Sequence, residues 1–445
     1  MFQWIKSMSE TTNKKKVKVA IVGAGFGGIA AANALVKSKD IEIHIIDRRN
    51  YHLFQPLLYQ VAMAGLNPSD IAIPIRKLYS QYKNVFVTLA EVEKVDEHKK
   101  QIYYDNKWEQ FDYIILACGA KHFYFGNNDW EKFAPGLKNI EQATEIRRRI
   151  LTALELAEKE KNIDTQQSYL NFVVVGGGPT GVELAGAISE MTKNTLVKDY
   201  KNADLKKTNV YLIEAGPRLL ATFPKELSHR AAKDLEEMGV KVLTNKIASE
   251  LSSMGLKAGE QWIDCKTILW AAGVKPASLT EKVNTKKSDS GQIIINKDLS
   301  ISSNSNIFAL GDMAYFEQAD GTGLPGVAQV ALQQGEFVGR QILNELKGKP
   351  RGEFKYWDKG IMATIGRSRA VVSSGRLQLT GFIAWLTWVF IHIVYLMKFK
   401  NRIFVFLQWT WSYFKFGRGA QLIVHKSWRF YSGKKISYED ESDKN

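Results

Sequence analysis

The sequence predicts an α/β protein made of two parallel-sheet units and a separate C-terminal helical segment, and three observations carry that expectation. The apolar run VKVAIV at 17–22 meets the glycine-rich GAGFGG and then the alanine-rich IAAANAL, which reads strand, tight turn, helix. The same construction returns 153 residues later, counted from Gly23 to Gly176, where NFVVV runs into GGGPTG and VELAGAI. Long apolar runs rich in tryptophan and flanked by cations close the chain.

In the first unit Gly23, Gly25 and Gly28 form GxGxxG. Glycines at this spacing permit the turn, let backbone approach a pyrophosphate and bring the helix close to the strand. The helix N-terminus offers free N–H groups to the anion. A second strand, IEIHIID, ends at Asp47, 19 residues past Gly28, where a carboxylate suits a ribose hydroxyl. Strand, helix and acid together predict a Rossmann-type dinucleotide site.

Gly176, Gly178 and Gly181 repeat the fingerprint. The following strand, NVYLIE, ends at Glu214 after a polar, lysine-rich insertion between Thr192 and Thr208. An acid there favours NADH, because the 2′-phosphate of NADPH would meet like charge. Arg218 follows closely and leaves room for the phosphate.

Two dinucleotide sites in one chain imply electron passage between two cofactors. NIFALGDMA at 306–314 is a buried-type strand ending in Gly311 and Asp312, suited to a further approach to a flavin through its ribityl hydroxyls. YIILACGA around Gly119 and TILWAAG around Gly273 return the chain from each nucleotide unit. This order of motifs resembles the flavoproteins with two dinucleotide-binding domains. DRRNYHLFQPLLYQVA at 47–62, GGGPTGVELAG at 176–186, AQVALQQG at 328–335, GIMATIGRSRAVV at 360–372 and the tryptophan-rich tail resemble the type II NADH:quinone oxidoreductases, over 17 to about 424.

The resemblance implies non-covalent FAD on the first site, NADH as substrate on the second, and a membrane quinone as electron acceptor, with no metal and no proton pumping. It places Gly23, Gly25, Gly28, Asp47, Gln55, Gly119, Gly311 and Asp312 around FAD. Gly176, Gly178, Gly181, Glu183, Glu214 and Gly273 then serve NADH. Glu183 sits just inside the second fingerprint helix, where an acid gains from the macrodipole alone; the resemblance sets it beside the nicotinamide as a catalytic group. Gln329 and Gln333, spaced i, i+4, share a helix face. Glutamines on helices are ordinarily solvated, but the resemblance puts this segment beside the flavin and the quinone pocket.

The 445 residues, 45% hydrophobic and 24% charged, are enough for two or three cores. The two cysteines, Cys118 and Cys265, lie far apart with no CxxC or Cys/His spacing, which argues against a disulfide framework and a zinc site and suits a reducing compartment. Sulfide:quinone oxidoreductases and disulfide reductases of this architecture use a cysteine pair, so both readings are disfavoured. An FAD- and NADH-binding redox sensor, similar to apoptosis-inducing factor, is the alternative of another class; the glutamines and the lipid-type tail weigh against it.

The formal charge of +15 is concentrated late: residues 359–438 hold 13 Lys or Arg and no Asp or Glu. Trp385, Trp388, Trp409, Trp411 and Trp428 lie in the same stretch. Cations beside long apolar runs point to a lipid headgroup boundary rather than to nucleic acid. LTGFIAWLTWVFIHIVYLM at 379–397 has the length of a spanning helix, yet spanning would carry the later cations across, against the positive-inside bias. Asn401, Gln408, Ser412 and Lys415 make one polar stripe opposite an aromatic face. Monotopic attachment by two C-terminal amphipathic helices is therefore expected, on the cytoplasmic face of the cell membrane. The apolar surface also suits a homodimer.

The expected layout is an N-terminal extension at 1–16, FAD domain segments at 17–135 and 290–345, and an NADH domain at 136–289. A membrane-attachment region at 350–430 and a polar tail at 431–445 complete it.

Overall fold

A computed structural model describes residues 16–303, 305–415 and 421–423, with side chains up to 411 in the last helix. Residues 1–15 of the extension expected at 1–16, Trp428 and the tail at 431–445 lie outside the described residues, as do the side chains of Ser412 and Lys415. The described chain forms two compact units. One runs to His52 and adds Pro74–Ala120 and Lys275–Tyr356; the other takes Leu53–Ile73, Lys121–Val274 and the chain from Trp357. The crossings expected at 135/136 and 289/290 thus fall at 120/121 and 274/275, directly after Gly119 and Gly273, whose positive φ of 69° turns the chain out of each sheet. Leu53–Ile73, expected with the first fingerprint, belongs to the second unit.

The first unit is built on a five-stranded sheet in the order Ile307–Ala309, Tyr113–Leu116, Val17–Val22, Ile41–Asp47, Val85–Leu89. Every neighbouring pair is parallel. Val19 to Val22 are buried, as a strand covered on both faces requires. The fingerprint helix Phe26–Leu35 packs on the late helix Ala328–Glu345. A Cβ added to Gly335 would stand 2.1 Å from the Gly27 carbonyl oxygen, and one on Gly339 2.6 Å from Ala34 Cβ. These two glycines set the spacing of the helix that carries Gln329, Gln333 and Gln334.

The second unit has a four-stranded parallel sheet in the order Val240–Leu243, Asn209–Ile213, Asn171–Val175, Thr267–Trp270. Val173, Val175, Ile213, Leu256, Ile268 and Trp270 share its core. Helix Ile140–Lys159 is N-capped by Asn139, which accepts from the Gln142 N–H. On its inner face the buried Arg147 donates at 2.8 Å to the carbonyls of Val61 and Leu66, which ties down the 60s segment.

An antiparallel sheet of Ile361–Gly366, Arg369–Ser374 and Leu377–Thr380 leads into helices Gly381–Tyr395 and Phe399–Lys415. The apolar run 379–397 is divided: Leu379 and Thr380 finish a strand, and Leu396 returns to extended backbone. The 15-residue helix left spans about 22 Å, and no helix among the described residues is long and apolar enough to cross a membrane. The last helix is amphipathic in an inverted sense. Asn401 donates to the Asp70 carbonyl at 3.0 Å and Gln408 to that of Gly65 at 2.8 Å, so these two residues of the polar stripe face protein. Phe404, Leu407 and Trp411 face outward at 57%, 57% and 66% exposure.

Candidate active site

Both fingerprint turns leave the sheet by the same backbone route. Gly23 N–H donates to the Ile46 carbonyl and Gly176 N–H to that of Ile213, at 2.8 and 2.7 Å. A Cβ on Gly28 would stand 1.9 Å from the Gly23 oxygen, and one on Gly181 1.8 Å from the Gly176 oxygen. Only glycine allows so close a crossing of helix and strand. Open space surrounds the middle glycines: a Cβ at Gly178 meets nothing within 4 Å, and one at Gly25 meets only the Ala117 oxygen at 3.9 Å. Gly25 and Gly178 are the N-caps of their helices. An anion fits at both places, against donors that the helix leaves unsatisfied.

The two acids act alike. Asp47 accepts from the Ala24 N–H at 2.6 Å and the Arg49 N–H at 2.7 Å. Glu214 accepts from the Gly177 and Gly216 N–H groups, both at 2.6 Å. Each carboxylate closes its turn and keeps lone pairs for a further donor. Burial raises the Asp47 pKa, opposed by those backbone bonds and by Arg49 and Arg48. Arg218 is engaged elsewhere: its guanidinium donates to the carbonyls of Phe223 at 2.7 Å and Ala221 at 2.5 Å and to Ser228 Oγ. It shapes the loop, and the room that sequence left it beside a 2′-phosphate is taken.

Gly311, Asp312 and Gly119 lie in the first unit with the first fingerprint, and Gly273 lies in the second. Gly311 donates its N–H to Gln334 Oε1 at 2.7 Å. Asp312 is half-buried, with its carboxylate 3.3 Å from where a Cβ on Gly326 would stand. Gln329 and Gln333 both fall on helix Ala328–Glu345, half-buried. Gln55 is exposed in the second unit, on a short turn, and donates to the Lys138 carbonyl at 2.9 Å.

Glu183 lies on helix Pro179–Glu190 and opens onto a cleft of about 130 Å³ within the second unit. Loss of water pushes its pKa up to about 8, against the lowering effect of a backbone hydrogen bond from Thr364. Tyr59, Met63, Trp385, Trp388 and Trp409 supply the apolar walls. Trp409 donates to Gln60 Oε1 at 2.7 Å and packs 5.4 Å from Trp388 between ring centres. The cleft thus sets aromatic walls beside the Glu183 carboxyl, with Glu190 and Arg367 also lining it.

Both thiols are packed as small residues. Cys118 donates to the Val22 carbonyl at 3.5 Å in the first unit, Cys265 is buried in the second, and burial pushes each pKa up to about 12. Sequence reasoning missed Gln334, Arg147 and the cleft's Tyr59 and Met63. The AQVALQQG motif held Gln334 in view, but no spacing rule separates it from Gln333.

The pattern of the pyridine nucleotide-disulphide oxidoreductases matches residues 17–335. The chain is 37% identical over 433 residues to the type II NADH:quinone oxidoreductase Ndh of Mycobacterium tuberculosis, covering 92% of this chain and 91% of that protein. It is 29% identical to the internal alternative NAD(P)H-ubiquinone oxidoreductase A1 of Arabidopsis thaliana mitochondria, over 94% of this chain and 88% of that one. The solved NDH2 from Plasmodium falciparum in complex with NADH shares the fold with a TM-score of 0.83 at 21% identity, over 91% of this chain and 99% of that one. With the two fingerprint turns, this agreement along nearly the whole length places the chain in the pyridine nucleotide-disulphide oxidoreductase family and, within it, among the type II NADH:quinone oxidoreductases.

Proposed function

We propose that this enzyme carries hydride from NADH to FAD and electrons onward to a membrane quinone, with FAD on the unit of the first fingerprint and NADH on that of the second. The carrying observation is the paired construction: two turns of matching geometry, each closed by a carboxylate and each open at its middle glycine. Bound FAD supplies two-electron chemistry between a hydride donor and a quinone. The protein's task is to orient.

Gly23, Gly25, Gly28, Asp47 and Asp312 serve FAD in this reading, with Gly119 and Gly311 shaping the backbone around it. Gly176, Gly178, Gly181 and Glu214 serve NADH, and Gly273 turns the chain beyond it. Glu183, protonated at neutral pH, holds a proton at its carboxyl for the reaction. Gln329 and Gln333 offer amide donors to a quinone carbonyl. Gln55, which the resemblance sets near FAD, stays in that role here as an exposed side-chain amide whose nitrogen donates to the Lys138 carbonyl.

The outward apolar face of the C-terminal helices is the lipid-facing surface. Lys398, Lys400 and Arg402 beside it favour an anionic leaflet, which supports attachment at the cytoplasmic face. A second copy of the chain is the further partner we infer for that surface, and molecular mass in detergent checks it. The test of the function is spectral. The purified protein is yellow, NADH bleaches the flavin absorbance, a quinone restores it, and acid precipitation frees the flavin. Flavin left in the pellet, or bleaching that no quinone reverses, would refute the reading.

A further inference from the structure

The first fingerprint turn is held from a side that its motif does not include. His52, 3% exposed, bonds through Nδ1 to the Ala24 carbonyl oxygen at 2.8 Å. A carbonyl only accepts, so Nδ1 carries the proton and donates. The imidazole also meets the Phe26 ring edge to face at 5.4 Å. Ala24 is therefore fixed at both ends, its N–H by Asp47 at 2.6 Å and its C=O by His52.

The second fingerprint reaches the same result by other means. Gly177 occupies the matching place after Gly176, its N–H bonded to Glu214 at 2.6 Å and its C=O accepting from the Leu220 backbone N–H at 2.8 Å. Backbone does there what an imidazole does in the first unit. The repetition marks the double clamp as a requirement of the turn rather than an accident of packing around one histidine.

The reason lies in the peptide plane. In a trans peptide the C=O of one residue and the N–H of the next point in opposite directions. Drawing the Ala24 oxygen toward His52 aims the Gly25 N–H away from it. Gly25 is the N-cap of the fingerprint helix and stands where a Cβ would find almost open space. An anion at the turn needs that N–H pre-aimed, because donors already oriented need not be ordered on binding.

We propose that His52 is a positioning residue for FAD: by holding the Ala24 carbonyl it aims the Gly25 N–H at the pyrophosphate. The assignment rests on the reading that FAD occupies the first fingerprint. Burial lowers the His52 pKa, which keeps the imidazole neutral with one nitrogen free of a proton.

The test uses the full-length holoenzyme, deflavinated and titrated with FAD by flavin fluorescence, with NADH affinity and melting temperature measured on the same samples. His52→Phe keeps a ring against Phe26 and removes the donor; His52→Asn puts an amide nitrogen near the place of Nδ1. His52→Phe should weaken FAD binding at least tenfold while NADH affinity stays within twofold, and His52→Asn should recover most of the loss. FAD affinity within twofold of wild type in His52→Phe, a parallel loss of FAD and NADH affinity, or no recovery in His52→Asn overturns the proposal. If His52→Phe does not fold, His52→Leu against His52→Asn makes the same comparison. Gly25→Val separates the two levels: if it retains FAD, the reading of the first fingerprint falls and this assignment with it. If it loses FAD while His52→Phe keeps it, the positioning role alone is overturned.

Discussion

Glu214 Oε2 lies 2.6 Å from the Gly177 nitrogen, so the acid that sequence assigns to the nicotinamide nucleotide's ribose also closes the turn that faces its phosphates. With NADH on this turn as proposed, one carboxylate serves both ends of the adenosine diphosphate half. Glu214→Gln should therefore lower NADH affinity as well as relax selectivity. Loss of a hydrogen bond to a charged group is worth about 1.5–3 kcal/mol, roughly ten- to a hundredfold in affinity. The wild type should strongly prefer NADH over NADPH, and the variant's preference should narrow because the repelling charge is gone. Dissociation constants for both nucleotides decide it: equal use of both by the wild type, or a variant whose NADH affinity is unchanged, would remove the argument.

Much of this was legible because the Rossmann turn binds chemistry to spacing. Gly28 and Gly181 must be glycine for helix and strand to cross, so the pattern at Gly23 and Gly176 fixes local geometry without tertiary information. The acids at Asp47 and Glu214 were legible for the same reason. His52 and Gln334 were not. Each acts on a backbone group distant in sequence, Ala24 O and Gly311 N, and such a bond has no periodicity to betray it. For the apolar run 379–397, charge placement pointed away from spanning, but hydropathy cannot show the reason the structure gives: Gly381, at φ 66°, starts the helix after a strand has used the first residues.

Glu183 predicts a pH dependence with a definite sign. Its pKa is raised from 4.5 to about 8, so between those values the folded protein binds more protons here than the unfolded chain. Stability from this group then falls as pH rises through that window, because charging a desolvated carboxyl opposes folding. Glu183→Gln keeps the shape without the charge. Its melting temperature relative to wild type should be lowest near pH 5 and rise steadily to pH 9. A difference independent of pH would show that the carboxyl is already ionised at neutral pH.

Adjacent glutamines on one helix should fail in different ways. Gln333→Leu and Gln329→Leu are expected to slow flavin reoxidation by quinone several-fold while reduction by NADH holds its rate. Gln334→Leu removes the acceptor of the half-buried Gly311 N–H and should weaken FAD retention instead, by about 1 kcal/mol for the lost hydrogen bond. Stopped-flow traces of the two half-reactions, with flavin content measured beside them, separate these outcomes. Impaired reduction alone in Gln333→Leu would place the quinone elsewhere.

The inverted last helix yields the sharpest contrast. Phe404, Leu407 and Trp411 point outward, whereas Asn401 and Gln408 bond inward to carbonyls of the 65–70 segment, itself held through Val61 and Leu66 by Arg147. Replacing the outward residues with Asp should abolish binding to vesicles of anionic lipid and cut activity with long-chain quinones, since apolar insertion is lost. Activity with water-soluble quinones and the rate of flavin reduction by NADH should persist. Asn401→Leu with Gln408→Leu should instead lower the melting temperature and leave vesicle binding, because the damage falls on docking to the protein. For the wild type, high salt should release only part of the bound enzyme: each nearby cation adds about 1 kcal/mol at an anionic surface, and salt screens that term but not insertion. Removing residues from Thr380 onward should combine both defects, since Trp385, Trp388 and Trp409 leave the cleft with the helices. Complete release by salt, or full long-chain quinone activity in the Asp variants, would show that the aromatic face does not meet the bilayer.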